Sequence, residues 1–306
     1  MLAAVDIGGT KIAVGAVRDD GTIVSRCECP TDPARGFRHA IELIKQMLHS
    51  VSSEDSKFKG IGIACPGPLD PATGIIGDVG TLPGWQGGNL VAELEREFGV
   101  TVAVENDADA AALAEANWGT AKNHQSFIYV TVSTGIGGGI ILSGQLYRGA
   151  GGAHPELGHQ VIDSAGPLCY CGSRGCWESL ASGSAMVSWM REQYPNDAAP
   201  SASEICQRAR MGDPLALRVL ERQGYFLGLG LANLVTLFTP DVVSLGGGLM
   251  KSSSLFLESA LAVVRKTCTQ VPVEKTRITI ASLGPDAGLL GAAQAWYCRY
   301  RTTSVI

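Results

Sequence analysis

The sequence predicts an α/β fold made of two related halves. Strand-type and helix-type patterns alternate along the chain, which is the signature of α/β architecture. A strand, a Gly-rich turn and a second strand open the chain, and the same layout returns after Phe127. Glycine itself is abundant, 39 of 306 residues against the ~7% of an average protein, with no G-X-Y period, so the excess is local. With 45% hydrophobic residues the chain is too apolar for disorder, and its length allows one or two domains with a large core.

Each element has its own signal. Leu2 to Ile7 is a short apolar strand running into Gly8-Gly9. Ile12 to Val17 is a second strand, and Asp19-Asp20-Gly21 is a turn before an alternating third strand, Thr22 to Glu28. Ile41, Ile44 and Leu48 lie at helical spacing within Phe37 to Leu48. Lys59 to Cys65 reads as a strand stopped by Pro66-Gly67-Pro68, Leu90 to Phe98 as a helix, Thr101 to Glu105 as a strand, and Asp107 to Trp118 as an Ala-rich helix. In the second half, strands are expected at Phe127 to Val132 and Ile140 to Leu142. A buried helix is expected at Phe226 to Phe238, strands at Asp241 to Leu245 and Ile278 to Ala281, and a last helix at Leu289 to Tyr300. Asn196 to Ser203 reads as the most loop-like linker.

Charge and composition exclude several functions. The net charge is −5, from 24 basic and 29 acidic residues, and no run of five basic residues offers a stripe for nucleic-acid phosphates. The apolar stretch Phe226 to Phe238 falls short of the ~20 residues of a membrane span. The N-terminus carries neither a basic segment nor a cleavage site, which makes the cytoplasm the expected compartment. Nine cysteines, an odd number, argue against a closed disulfide framework.

The glycines collect in three clusters, each after a buried strand. Asp6, Gly8, Gly9, Thr10 and Lys11 form the first, Ser133, Thr134, Gly135 and Gly137 the second, and Gly246 and Gly247 the third. Glycines let the backbone approach a ligand, and free N–H groups bind phosphate oxygens. Asp6 at its strand end suits a metal such as Mg²⁺, directly or through water. Taken alone, the first segment is equally well an empty hairpin turn; three such turns together suit a polyphosphate and a nucleoside, as in ATP. Glu105-Asn106-Asp107 follows a strand and opens a helix, where an acidic residue is also an ordinary N-cap. His159, Cys169, Cys171 and Cys176 have the spacing H-x₉-C-x-C-x₄-C. Three thiolates and an imidazole suit a closed tetrahedral Zn²⁺ site, although three buried free cysteines would read the same on spacing alone. Cys27 and Cys29 form another C-x-C without nearby partners, and Asp109 reads as helix surface.

These clusters follow the pattern of the actin-like ATPase superfamily, and within it the chain resembles the ROK family of repressors and sugar kinases over nearly its whole length. The most specific segment is Gly151 to Gly183, GGAHPELGHQVIDSAGPLCYCGSRGCWESLASG. The resemblance implies two actin-like (ribonuclease H-like) domains flanking a cleft. The smaller would hold about 1–117 completed by 285–306, and the larger about 118–284 with the zinc site. It implies an ATP- and Mg²⁺-dependent hexose kinase with Asp107 as the base that takes the hydroxyl proton. It places Asn106, Gly67, Asn89, Glu156, His159 and Glu178 around the sugar, with structural Zn²⁺ on His159 and the three cysteines. Glucose is the first choice of sugar, followed by N-acetylmannosamine, N-acetylglucosamine and fructose. His154-Pro155 precede Glu156 where many members have Gly or Ala, which bears on the sugar and leaves the role of His154 open. A homodimer is expected by the same resemblance. The rival of another class is a sugar-sensing ROK regulator without catalysis.

Overall fold

The computed structural model describes residues 1–52, 58–195 and 200–301. In chain order its strands and helices are β1 (Leu2–Ile7), β2 (Lys11–Val17), β3 (Ile23–Pro30), α1 (Gly36–Val51), β4 (Gly60–Cys65), β5 (Leu69–Asp70), β6 (Ile75–Ile76), α2 (Leu90–Phe98), β7 (Thr101–Asn106) and α3 (Asp107–Trp118). There follow β8 (Phe127–Val132), β9 (Ile136–Leu142), β10 (Gln145–Leu146), α4 (Trp177–Ala181), α5 (Gly183–Gln193), α6 (Ala202–Arg210), α7 (Pro214–Phe238), β11 (Val242–Gly246), α8 (Leu257–Thr267), β12 (Arg277–Ile280) and α9 (Ala287–Tyr300). The chain forms two compact units, Met1–Asn123 with the segment from Ser282 onward, and His124–Ala281.

In the first unit the sheet order is β3-β2-β1-β4-β7. The pairs β1/β2 and β2/β3 are antiparallel, and β1/β4 and β4/β7 are parallel. Helices cover both faces, so β1 is apolar almost throughout, as parallel-type strands buried on two sides must be. Ala3, Val5 and Ile7 join a core with α1 residues Ile41, Ile44 and Leu48. Leu2 and Ala4 join a second core with Ala110 and Ala114 of α3 and Leu289, Ala292 and Ala293 of α9. Side chains of a strand alternate between faces, so Asp6 continues the Leu2–Ala4 face toward α3 and α9. Buried Glu115 fastens this layer: it accepts from Thr120 N at 2.8 Å and from Leu283 N at 2.8 Å. The residues between α3 and the unit boundary, and those entering α9, are thereby held on one carboxylate.

The second unit repeats the plan. Its sheet order is β10-β9-β8-β11-β12, with β8/β9 and β9/β10 antiparallel and β8/β11 and β11/β12 parallel. Ile128, Val130 and Val132 of β8 pack with Leu227, Leu231 and Val235 of α7 and with Trp177 of α4. The Trp177 indole is wholly buried and donates to Phe226 O at 3.0 Å.

The structure corrects several expectations. The helix expected at Phe226 begins at Pro214, capped by Asp213, whose carboxylate accepts Leu215 N at 2.9 Å. Charged Arg218, Glu221 and Arg222 break the apolar run there and hide the helix from a hydrophobicity reading. Of the loop expected at 196–203, residues 196–199 lie outside the described residues, and Ala202 already starts α6. Ser201 and Glu204 cap that helix reciprocally, Ser201 Oγ accepting Glu204 N at 3.2 Å and Glu204 accepting Ser201 N at 2.7 Å. Glycines 137–139 extend β9, paired with Thr131, Val130 and Tyr129, instead of lying in the turn. Asp109 is fully buried because α3 is enclosed from Ala108 through Glu115, only Asp107 ahead of that stretch being exposed. No helix among the described residues is long and apolar enough to cross a membrane.

Candidate active site

The expected site residues fall into two groups, one in each unit. In the first unit the β1–β2 turn is Gly8-Gly9-Thr10, closed by Gly8 N donating to Lys11 O at 2.8 Å. Buried Thr31 braces it by donating from its hydroxyl to Gly8 O at 2.5 Å. The Lys11 ammonium is drawn to Glu28 at 3.0 Å, so it is tied to β3.

Asp6 and Asp107 interact electrostatically here. Burial first, and the charge of Asp107 second, push the Asp6 carboxyl up to about 6, with Lys11 and Arg26 opposing. The start of α9 fits over the same carboxylate. A Cβ on Gly288 would fall 2.2 Å from Asp6 Oδ2, so only glycine is accommodated. Two carboxylates in electrostatic contact present oxygen donors only, and that donor set fits a divalent cation such as Mg²⁺.

Asn106, not Asp107, is the N-cap of α3. Its Oδ1 accepts Ala108 N at 2.9 Å and Asp109 N at 3.2 Å, leaving the NH₂ to donate elsewhere. That cap puts Asp107 at the first helical position, where its side chain is exposed. Gly67 runs beside the Asn106 amide, since a Cβ there would lie 3.1 Å from Nδ2. Asn89 caps α2 through Ala92 N at 2.9 Å. Cys65 ends β4 next to these carboxylates, and burial, then their charge, raises its thiol well above the usual range and keeps it inert.

In the second unit two glycine clusters meet. Gly247 has φ 91°, a left-handed conformation, and a Cβ there would strike Val132 O at 2.4 Å. Gly248 comes within 3.5 Å of Ser133 Oγ by the same measure. The Ser133–Gly135 turn is held from behind by α5, whose Gly183 N and Ser184 N donate to Ser133 O at 2.8 Å and Thr134 O at 3.2 Å. Ser133, Thr134, Ser184, Gly248, Arg191 and Lys251 line a cavity of about 610 Å³. That volume is of the size that takes a nucleoside.

Glu178, expected at a sugar, is also tied to this turn. Its Oε2 accepts Ile136 N at 2.7 Å. Glu156 and His159 flank a short turn closed by His159 N donating to Glu156 O at 3.0 Å. The imidazole Nδ1 lies 3.6 Å from Cys169 Sγ, and Cys171 Sγ lies 3.5 Å from Cys176 Sγ. All four ligand atoms lie within 4.8 Å of one another. A tetrahedron with Zn–S bonds of ~2.3 Å has edges of about 3.8 Å. Three thiols and one imidazole at these separations therefore fit a closed zinc site. The backbone at Ser173 pulls the exposed Cys171 thiol down to about 7, favouring the thiolate that a metal takes.

Sequence reasoning missed Tyr170, which touches this group. Its hydroxyl lies 3.0 Å from His159 Nε2, and the Glu178 carboxylate interacts with it electrostatically. The C-Y-C spacing drew attention to the cysteines and none to the residue between them. Cys27 and Cys29 lie near Ser50 and Met47, away from any such cluster.

The family model described as ROK family matches residues 2–298. A glucokinase of Thermotoga maritima is 33% identical over 307 residues, spanning 95% of this chain and 96% of that protein. A xylose repressor of Bacillus subtilis is 34% identical over 251 residues, which is 82% of this chain but 64% of the repressor. Among solved structures, a ROK hexokinase from Thermus thermophilus superposes with a TM-score of 0.89 at 36% identity, covering 99% of both chains.

Proposed function

The chain belongs to the ROK family, and on that premise we propose that it is an ATP-dependent hexose kinase, moving the γ-phosphoryl group of ATP to the 6-hydroxyl of a hexose, with glucose the first choice. The observation that carries this reading is the Asp6–Asp107 pair beside an open glycine turn. A sugar-binding protein without chemistry has no use for a buried carboxylate held against a second one at such a turn. The family relatives support it too, since a glucokinase is 33% identical across 95% of this chain.

The roles follow from the residue chemistry. Asp107, exposed at the start of α3, accepts the proton of the attacking hydroxyl. Asn106, Gly67, Asn89, Glu156, His159 and Glu178 are the sugar-binding residues on this reading; the carboxylates accept from hydroxyls and the amides donate. The Gly8–Thr10 and Ser133–Gly135 turns offer backbone N–H groups to the phosphates, where developing charge is stabilised. The serine-rich cavity by Gly248 takes the nucleoside. Mg²⁺ would be held at Asp6, directly or through water, and would supply positive charge to the transferring group. Zinc on His159, Cys169, Cys171 and Cys176 would hold the sugar-binding turn in shape and take no part in the transfer. The protein works as a cytoplasmic homodimer on this reading.

The test is ADP release from Mg·ATP with glucose, mannose, fructose, N-acetylglucosamine, N-acetylmannosamine or no sugar. Strong release with one hexose is expected. Release with none, combined with sugar binding by calorimetry, would turn the assignment to a regulator.

A further inference from the structure

Tyr170 is the most exposed of the large apolar and aromatic side chains among the described residues, at 83%. An exposed aromatic ring ordinarily samples several rotamers. This one is held at its tip. Its hydroxyl lies 3.0 Å from His159 Nε2, its ring stands edge-on to the imidazole at a centroid distance of 5.1 Å, and the Glu178 carboxylate is near enough to interact with the same phenol electrostatically.

The partners matter because of what else they do. His159 turns Nδ1 toward Cys169, 3.6 Å away, so Nε2 is the nitrogen left for a ligand. Glu178 spends Oε2 on Ile136 N. The ring nitrogen that His159 does not use in holding the fold is what the phenol takes, with the Glu178 carboxylate beside it. A phenol O–H and a sugar O–H offer the same hydrogen-bonding inventory, one donor and two acceptor lone pairs. Tyr170 also sits between Cys169 and Cys171, so zinc on those thiols would fix its backbone on both sides. Only the side-chain rotamers then move the phenol in or out.

We propose that Tyr170 is a built-in competitor for the sugar: in the sugar-free protein its phenol occupies the place of a hexose hydroxyl between His159 and Glu178, and the hexose must displace it to bind. This rests on the hexose-kinase reading above. A site filled by its own side chain binds more weakly, in proportion to the fraction of molecules in which it stands open. Phe at this position keeps the ring and loses the competing hydroxyl.

The experiment is calorimetric titration of wild type and Tyr170→Phe with the hexose that the ADP-release panel selects, without nucleotide, with zinc content measured on both proteins. The Kd for the sugar should fall roughly threefold to tenfold, the worth of one ordinary hydrogen bond. The gain should appear in KM for the sugar and not in kcat. Tyr170→Ser, which removes the ring as well and leaves a hydroxyl too short to reach, should tighten binding similarly. Unchanged or weaker binding by Tyr170→Phe at full zinc content would overturn the proposal and make the phenol a bystander or a direct sugar ligand. Loss of binding in Tyr170→Ser alone would also overturn it, by showing that the ring packs against the sugar. Wild-type protein that neither binds nor phosphorylates any hexose sinks the kinase reading and this proposal together. Wild type that binds, beside an unaltered variant, sinks this proposal alone.

Discussion

The two units share one sheet topology and place their carboxylates differently. In the first, Asp6 stands on β1 itself, paired with Ala13 one step before the turn. In the second, the corresponding position of β8 is Thr131, paired with Gly137. The carboxylate at that turn comes from another element, Glu178 of α4, and is spent on a backbone N–H at 2.7 Å. One turn therefore faces an acid under electrostatic strain, and the other an acid already satisfied by the fold. On the proposed reading, the same scaffold serves chemistry in one copy and ligand holding in the other.

The largest effect should come from Asp107. Asp107→Asn keeps the size of the side chain and removes the base. Turnover should fall by about 10²–10⁴, the usual worth of a general base, while sugar Kd changes less than threefold. Near-normal ADP release by this variant would break the division of labour, because the base would then have to lie elsewhere. Cys171→Ser probes the other unit. It should lose the zinc that elemental analysis is expected to find in wild type, and with it several kcal/mol of stability, because binding a structural metal is coupled to folding. Wild-type protein free of zinc would remove the metal site outright.

Asp6 gives an effect of similar kind with a definite pH signature. Its folded-state carboxyl titrates at about 6 against an ordinary value of 3.8. The fold thus favours the protonated form. Its stabilising contribution is complete below pH 3.8 and is lost as pH rises through 6, at a cost near ~3 kcal/mol for a shift of this size. Asp6→Asn carries no charge to bury. It should be more stable than wild type at pH 8 by up to about 3 kcal/mol, with the gain vanishing toward pH 4, and its ADP release should fall. Thermal melts across that range check the sign. A variant less stable than wild type at pH 8 would show that Asp6 is already compensated, as Glu178 is.

Much of the fold was legible because both units rely on local signals. Strand patterns before glycines, and the Asp107 helix start, follow from sequence neighbours alone. The expected start of that helix matches the structure at Asp107, with Asn106 as its cap. The failures have physical causes too. Gly137–Gly139 look like a turn in one dimension, but β8 lies alongside them and pairs with them. Asp109 looks exposed until the fold encloses α3, whose Ala110 and Ala114 pack against α9, far away in sequence. Glu115 serves Leu283 across 168 positions, a relation that no spacing rule detects. The metal cluster was readable because its four residues lie within eighteen positions of one another, from His159 to Cys176. Tyr170 was not, since nothing in its spacing marks which way a side chain turns.

The smallest effect sharpens the comparison most. Glu178→Gln keeps an oxygen that can accept Ile136 N, so the turn should survive at a cost of about 1 kcal/mol for exchanging a charged acceptor for a neutral one. What changes is the second half of the side chain, which becomes a donor. A sugar hydroxyl that donates to the carboxylate then meets an N–H, and sugar Kd should weaken by roughly tenfold, the loss of one charge-assisted bond. Turnover at saturating sugar should fall by a smaller factor, because the base stays in the first unit. If sugar affinity holds while stability drops, Glu178 only anchors its turn, and the second unit binds the sugar through Glu156 and His159 alone. If turnover falls as far as in Asp107→Asn, a carboxylate of the second unit takes part in the chemistry, and the contrast between the two copies of the scaffold disappears.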